Sequence, residues 1–289
     1  MKTTRILLLL VAAIVFSACG TSRVVPVTGR RQKVYSNNSE ILTQSLTQYK
    51  NYVGSAKLST NAANTAMVKR VGQKLASAVE TYLRNNGYAD EVNNYNWEFN
   101  LVADNQVNAF CMPGGKIVVY EGLLPVTQTE AALAVVLGHE IAHAVAYHSS
   151  EQMQKQSNIN AIGQAASSIL ASGVGVNTAN TVAQLYGLGS QVATLKYSRD
   201  NETEADHIGL IFSAMAGYDP NEAVTFWQRM AANSTNNRAT WLSTHPSDAQ
   251  RIAYINKILP EAMKYYKGGS TTTTTSSKSK KSMPTFRVK

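Results

Sequence analysis

Between Thr129 and Val145 the chain is apolar round nearly the whole helical period, yet His139, Glu140 and His143 sit in its middle. Thr127-Gln128-Thr129-Glu130 has the form of a capping box and predicts a helix starting near residue 128. Ala131, Ala132, Leu133, Val135, Val136 and Leu137 follow as an apolar run. A helix apolar on every side is buried, and buried imidazoles and carboxylates need partners. Residues four apart share one face, so His139 and His143 can bind a single metal ion. Glu140 lies about 100° further round, placed to hold a water beside that metal. The segment therefore predicts a buried metal-binding helix.

Two histidines leave a ligand to be found. The other histidines are His148, His207 and His245. A third histidine from the same segment requires His-Glu-x-x-His-x-x-Gly-x-x-His. Here Ala146 stands at the glycine position and Ser149 at the last histidine position, so His148 reads as a helix-end residue. A better source is Ser198-Arg199-Asp200-Asn201-Glu202-Thr203-Glu204-Ala205-Asp206-His207-Ile208-Gly209. Glu202 and Asp206 share a face of a second helix. One of these carboxylates can ligate the metal, giving a two-histidine, one-carboxylate set that leaves a water position. The other can accept the free N–H of a ligating histidine and fix its tautomer.

With these motifs in place, the sequence resembles the HtpX-like and CAAX-prenyl-endopeptidase-like zinc metalloproteases. His139-Glu140-Ile141-Ala142-His143 and the downstream Glu202-Thr203-Glu204-Ala205-Asp206 carry the resemblance. Asn108 to Leu123 resembles that family's hairpin before the metal helix, and Ser243-Thr244-His245-Pro246-Ser247 with Arg251 resembles its C-terminal motif. The likeness spans residues 60–260, with four motifs in the family's order. It implies one Zn2+ per chain held by His139, His143 and Glu202, with Glu140 as catalytic base and Asp206 supporting a ligand. It also implies His245 and Arg251 as groups near the developing oxyanion, or His245 as a resting-state ligand that swings away. The fold implied is α+β and mainly α: a zincin-type domain with a small sheet or hairpin beside the active-site helix.

The stretch before the metal helix reads as a substrate platform. Trp97, Phe99 and Leu101 alternate with polar residues, a half-buried strand pattern. Pro113-Gly114-Gly115 marks a turn, and Ile117-Val118-Val119-Tyr120 a second strand. A free edge can pair with an extended peptide through backbone hydrogen bonds, and by resemblance its residues are Asn108, Ala109 and Phe110. Such pairing reads little sequence, so unfolded segments are the expected substrates. Cys111 reads as a small buried apolar residue rather than a nucleophile.

The N-terminus supplies an address. Lys2 and Arg5 precede an apolar stretch from Ile6 to Phe16, too short to span a bilayer, so residues 1–18 read as a signal peptide. Ser17-Ala18-Cys19-Gly20 reads as a lipoprotein box, making Cys19 the lipidation site and the membrane a partner through that anchor. No aspartate follows Cys19, and by resemblance to bacterial lipoproteins the outer membrane, facing the periplasm, is the expected location. The formal charge of +9 falls to +7 without Lys2 and Arg5. Lys278, Lys280, Lys281, Arg287 and Lys289 in the tail leave the body near +2. Neither the body charge nor an exported location suits a nucleic-acid partner.

The expected organisation is a signal peptide over 1–18, a tether over 19–36, the protease domain over 37–267 and a basic Ser/Thr/Lys tail over 268–289. Residues 37–88 read as two helices, and residues 151–197 as a helical hairpin of small residues broken at Gly173-Val174-Gly175. Asp219-Pro220-Asn221-Glu222 starts a further helix. No 34-residue helical period is present, which excludes a tetratricopeptide module. The function expected is quality control of unfolded or misassembled envelope proteins by peptide-bond hydrolysis. The alternative is a holdase or assembly factor for outer-membrane proteins that keeps zinc without catalysis.

Overall fold

The computed structural model describes residues 20–167, 197–233, 241, 245 and 249–268. The signal peptide, most of the small-residue helical hairpin and the basic tail lie outside the described residues. The chain begins with an antiparallel hairpin of β1 (Thr21–Val24) and β2 (Arg31–Val34). Helices α1 (Asn38–Ser55) and α2 (Ala62–Asn85) follow, each started by an asparagine whose side chain accepts a backbone N–H three residues on. These are the two helices expected over 37–88.

A three-stranded sheet comes next, built from β3 (Glu98–Val102), β4 (Ala109–Met112) and β5 (Lys116–Tyr120) in the order β3-β5-β4. Central β5 runs parallel to β3 and antiparallel to β4. Every residue of β5 is buried because both faces of the sheet are covered. Ile117 and Val119 join the main core with α2, while Val118 and Tyr120 face a second cluster with Tyr49, Phe110 and Met112. Gly72 of α2 makes the first packing possible, since a Cβ there would sit 2.2 Å from the Phe99 ring.

The short helix α3 (Leu124–Thr127) leads through Gln128, at φ 62°, into α4 (Glu130–Val145). The expected capping box is displaced. Thr129 is the N-cap and accepts from the Ala132 amide, whereas Thr127 belongs to α3 and its hydroxyl donates to Leu124 O. A chain reversal at Gln128, rather than a continuous helix, sets the start of α4.

Helix α4 is buried along nearly its whole length. It packs along α6 (Arg199–Met215), and α2, β4, α5 (His148–Ser167) and α7 (Glu222–Asn233) also pack on it. Ser198 caps α6, accepting from the Asn201 amide. Helix α8 (Ala249–Ala262) closes over α6 and α7. The fold is thus mainly helical with two small sheets. Among the described residues no helix is long and apolar enough to cross a membrane.

Two glycines set the distance between the central helices. A Cβ on Gly138 would lie 2.7 Å from Gly209 O, and one on Gly209 would lie 2.6 Å from the His139 amide nitrogen. Backbone therefore meets backbone where α4 and α6 cross. Ser213 locks the crossing by donating to both Ala134 O and Gly209 O, at 2.9 and 2.8 Å.

Candidate metal centre

The crossing at Gly138 and Gly209 brings the acids on the first two turns of α6 against the histidines of α4. His139, His143, Glu202 and His245 each offer a ligand atom, and these four atoms lie within 4.8 Å of one another. All four side chains are buried. His139 Nε2 is 3.1 Å from His143 Nε2 and 3.2 Å from His245 Nδ1. The Glu202 carboxylate closes the set, 2.9 Å from His245 Nδ1 and 3.4 and 3.5 Å from the other two ring nitrogens.

The chemistry of this set fits a metal ion. His139 Nδ1 faces Asp206 Oδ1 at 3.0 Å, so the ring proton belongs on Nδ1 and Nε2 carries a bare lone pair. His143 Nε2 points at the same centre, so lone pairs meet at about hydrogen-bond distance. A proton or a metal cation between them relieves the repulsion of these lone pairs. Burial disfavours the charged His139 ring, but its hydrogen bonds to Asp206 and Glu202 outweigh that and lift it to about 9. Burial instead pushes His143 well below its ordinary value. Burial opposes ionisation of Glu202, yet His245, His139 and His143 hold its carboxyl well below the usual range. One positive charge at the centre is the common demand. Three imidazoles and a carboxylate suit Zn2+.

Asp206 lies on His139, and its other partner is Arg251. Arg251 Nε and Nη2 donate to Asp206 at 2.7 and 2.6 Å, and Nη1 is 2.9 Å from Glu202 Oε2. The Arg251 guanidinium also lies 4.0 Å over the Trp227 ring and is buried. It stands behind the ligands and neutralises their carboxylates. His245 stands among the ligands, with Nε2 3.6 Å from Glu140 Oε1. Glu140, adjacent to His139, accepts from Trp241 Nε1 at 2.6 Å.

The expected substrate edge is β4, which lies at the end of its sheet with β5 as its one strand neighbour among the described residues. Asn108, Ala109 and Phe110 are buried. Val107 O accepts from the Trp241 amide at 3.0 Å, and the Ala109 amide donates to the Asn108 side chain. Trp241 thus contacts Glu140 and Val107 O just ahead of β4, and His245 stands at a ligand position. Cys111 is buried beside it, and burial pushes its thiol well above the ordinary value, which leaves it without nucleophilic character.

Three residues were not legible as part of the site. His148, expected as a helix-end residue, is fully buried with Nδ1 2.8 Å from His143 Nδ1. Glu204 is 3.0 Å from His148 Nε2. Tyr197 stacks on the His143 ring at 3.9 Å, nearly parallel. Glu204 had one available signal: it lies between two acids already assigned to the site.

The profile of peptidase family M48 matches residues 62–259. Mitochondrial metalloendopeptidase OMA1 of Schizosaccharomyces pombe is 39% identical over 171 residues, which are 57% of this chain and 48% of that protein. The human OMA1 metalloendopeptidase is 28% identical over 247 residues, 83% of this chain and 46% of that protein. The beta-barrel assembly-enhancing protease of Yersinia pestis is 31% identical over 167 residues, 54% of this chain and 33% of that protein. The chain spans about half or less of the length of these curated relatives.

Proposed function

The chain belongs to peptidase family M48, a metalloprotease family, and from that premise we propose a zinc-dependent metalloendopeptidase of the bacterial cell envelope. The observation that carries this reading is the convergence of His139, His143, Glu202 and His245 on one buried point with Glu140 beside it. Zn2+ held by His139, His143 and Glu202 would supply an acidified water and polarisation of a carbonyl oxygen. Glu140 is the group placed to accept a proton at the site and pass it to the leaving amine. Arg251 holds Glu202 and Asp206 in place, and Asp206 holds His139 in the tautomer that presents Nε2.

The state described here is a resting state. His245 fills the position that a water or substrate needs, and Trp241 engages Glu140 and Val107 O. Substrate entry requires Trp241 and His245 to move out. The departure of Trp241 frees Val107 O, just ahead of β4, for an extended peptide. Once displaced, His245 is placed to donate to the developing oxyanion.

Substrates are unfolded or misassembled envelope proteins. Backbone pairing along β4 favours extended chains of little defined sequence, and the name of the Yersinia pestis relative refers to assembly of β-barrels. A lipid at Cys19 would hold the domain at the outer membrane, facing the periplasm. Comparing wild type with Glu140→Gln on an unfolded protein tests the chemistry, with zinc content measured in both. The variant should keep its zinc and lose cleavage by at least about a hundredfold. Equal cleavage by the two would sink the mechanism, and zinc-loaded wild type without turnover would favour the holdase.

A further inference from the structure

The turn between α4 and α5 is strained and aimed. Tyr147 takes a φ of 56°, a left-handed conformation rare for a bulky side chain. The surroundings hold it there. The Arg23 guanidinium lies 4.0 Å over its ring, and Asn94 Nδ2 donates to its hydroxyl at 2.9 Å. The reversal folds His148 back under α4, fully buried, against the side of His143 that faces away from the ligand cluster.

One proton arrangement satisfies both contacts of His148. His143 presents Nε2 to the cluster, so its proton is on Nδ1. That N–H donates to His148 Nδ1, 2.8 Å away. The His148 proton is then on Nε2, where it donates to Glu204 Oε2 at 3.0 Å. His139 has the short form of this arrangement, donating from Nδ1 directly to Asp206. His143 has the long form, with one imidazole interposed before the carboxylate.

We propose that His148 and Glu204 are positioning residues of the metal centre, a histidine–carboxylate relay that fixes the tautomer and ring orientation of His143. The assignment rests on the metallopeptidase reading of the site. The relay ends in a fixed anchor: Glu204 accepts from Thr28 Oγ1 and from Arg30 Nε at 2.8 Å, both in the turn of the β1–β2 hairpin. Arg30 in turn makes a two-point contact with Glu151 of α5 at 3.1 and 2.9 Å. Glu204 thus has the role for His143 that Asp206 has for His139, and the hairpin has for Glu204 the role that Arg251 has for Asp206.

The test measures metal affinity and ring tautomers in the full chain. Competition with a chromophoric chelator gives the Zn2+ dissociation constant for wild type, His148→Phe, His148→Asn, Glu204→Gln and Asp206→Asn. His148→Phe keeps a ring but accepts nothing, and should weaken Zn2+ binding about ten- to a hundredfold, like Asp206→Asn. In His148→Asn the amide oxygen stands near the Nδ1 position, so this variant should recover part of that loss. Nitrogen-15 NMR of the histidine rings in zinc-loaded wild type should show His143 protonated on Nδ1 and His148 on Nε2, a signature that mere packing would not produce. The opposite His148 tautomer, or His148→Phe binding Zn2+ as wild type does while Asp206→Asn binds it weakly, overturns the relay and leaves the metal reading intact. Wild type that binds no Zn2+ overturns both.

Discussion

At the residue scale, the centre is a problem of charge. Glu202 and Asp206 are buried carboxylates four residues apart, and Arg251 is the cation that pairs with both. Removing one partner of a buried pair leaves the other uncompensated, which costs about 3–5 kcal/mol. Arg251→Met should therefore destabilise the metal-free protein by about that amount in urea unfolding. Zinc should restore part of the loss, because it replaces the missing positive charge. Trp241 holds Glu140 Oε1 with its indole N–H and Val107 O with its amide. Trp241→Phe removes the first bond and keeps an aromatic ring. If the segment holds the site shut, this variant should cleave an unfolded substrate several times faster in kcat at saturating zinc, while losing about 1–3 kcal/mol of stability from the shortened buried ring. A turnover equal to or below that of wild type would mean that Trp241 does not restrain the base. The ligand residues of α4 were legible because i, i+4 spacing alone puts His139 and His143 together. His148 was not, because a spacing of five from His143 does not share a helical face; the left-handed Tyr147 creates the contact.

At the element scale, the decisive event is the crossing of α4 and α6. The apolar run and the acid pair forecast both helices. How near the helices come was hidden in two glycines with no turn to explain them. Gly209→Ala puts a Cβ 2.6 Å from the His139 backbone, too close for α6 to stay in place. The variant should lose about 1–3 kcal/mol in thermal or urea unfolding, and Zn2+ affinity should fall with it because α6 carries Glu202. Unchanged affinity with reduced stability would mean that the ligands tolerate the displacement. Strand β5 was legible as a strand from its β-branched run, but covering on both faces is a property of the assembled layers.

At the scale of the whole molecule, the stretch over residues 21–34 contributes to the packed domain. It forms a hairpin docked on the domain through Arg30, Gln32 and Tyr35, with Gln32 Nε2 donating to Ala146 O at 2.7 Å. Burial opposes ionisation of Glu151, but Arg30 and Lys155 outweigh it and hold the carboxyl below its ordinary 4.5. A depressed folded-state value means that this stabilisation is complete above about pH 4.5 and fades as the pH falls further. Protection factors of the amides over residues 21–34, corrected for the intrinsic exchange rate, should fall on acidification, and in Glu151→Gln they should be lower already near neutral pH with a weaker acid dependence. Metal removal acts on the molecule as a whole. A ligand present at a hundred times its dissociation constant stabilises by about 2.7 kcal/mol, so stripping zinc should lower the melting temperature by about 5–10 °C and abolish cleavage, both reversed by added Zn2+.

The sequence by itself determined that His139, Glu140 and His143 share one helix and that Glu202 and Asp206 share another, because these follow from spacing along one element. It also pointed to a mainly helical fold and, through four motifs in order, to a zinc-metalloprotease likeness coarsely consistent with family M48. Tertiary structure alone decided that Trp241 holds Glu140 and Val107 O, and that His148 and Glu204 stand behind His143. The physical reason is the range of the contacts. Periodicity reports neighbours within a turn of helix or along a strand, whereas these contacts need a backbone reversal at Tyr147, a close crossing at Gly138 and Gly209, and the return of Trp241 to Val107 from more than a hundred residues away.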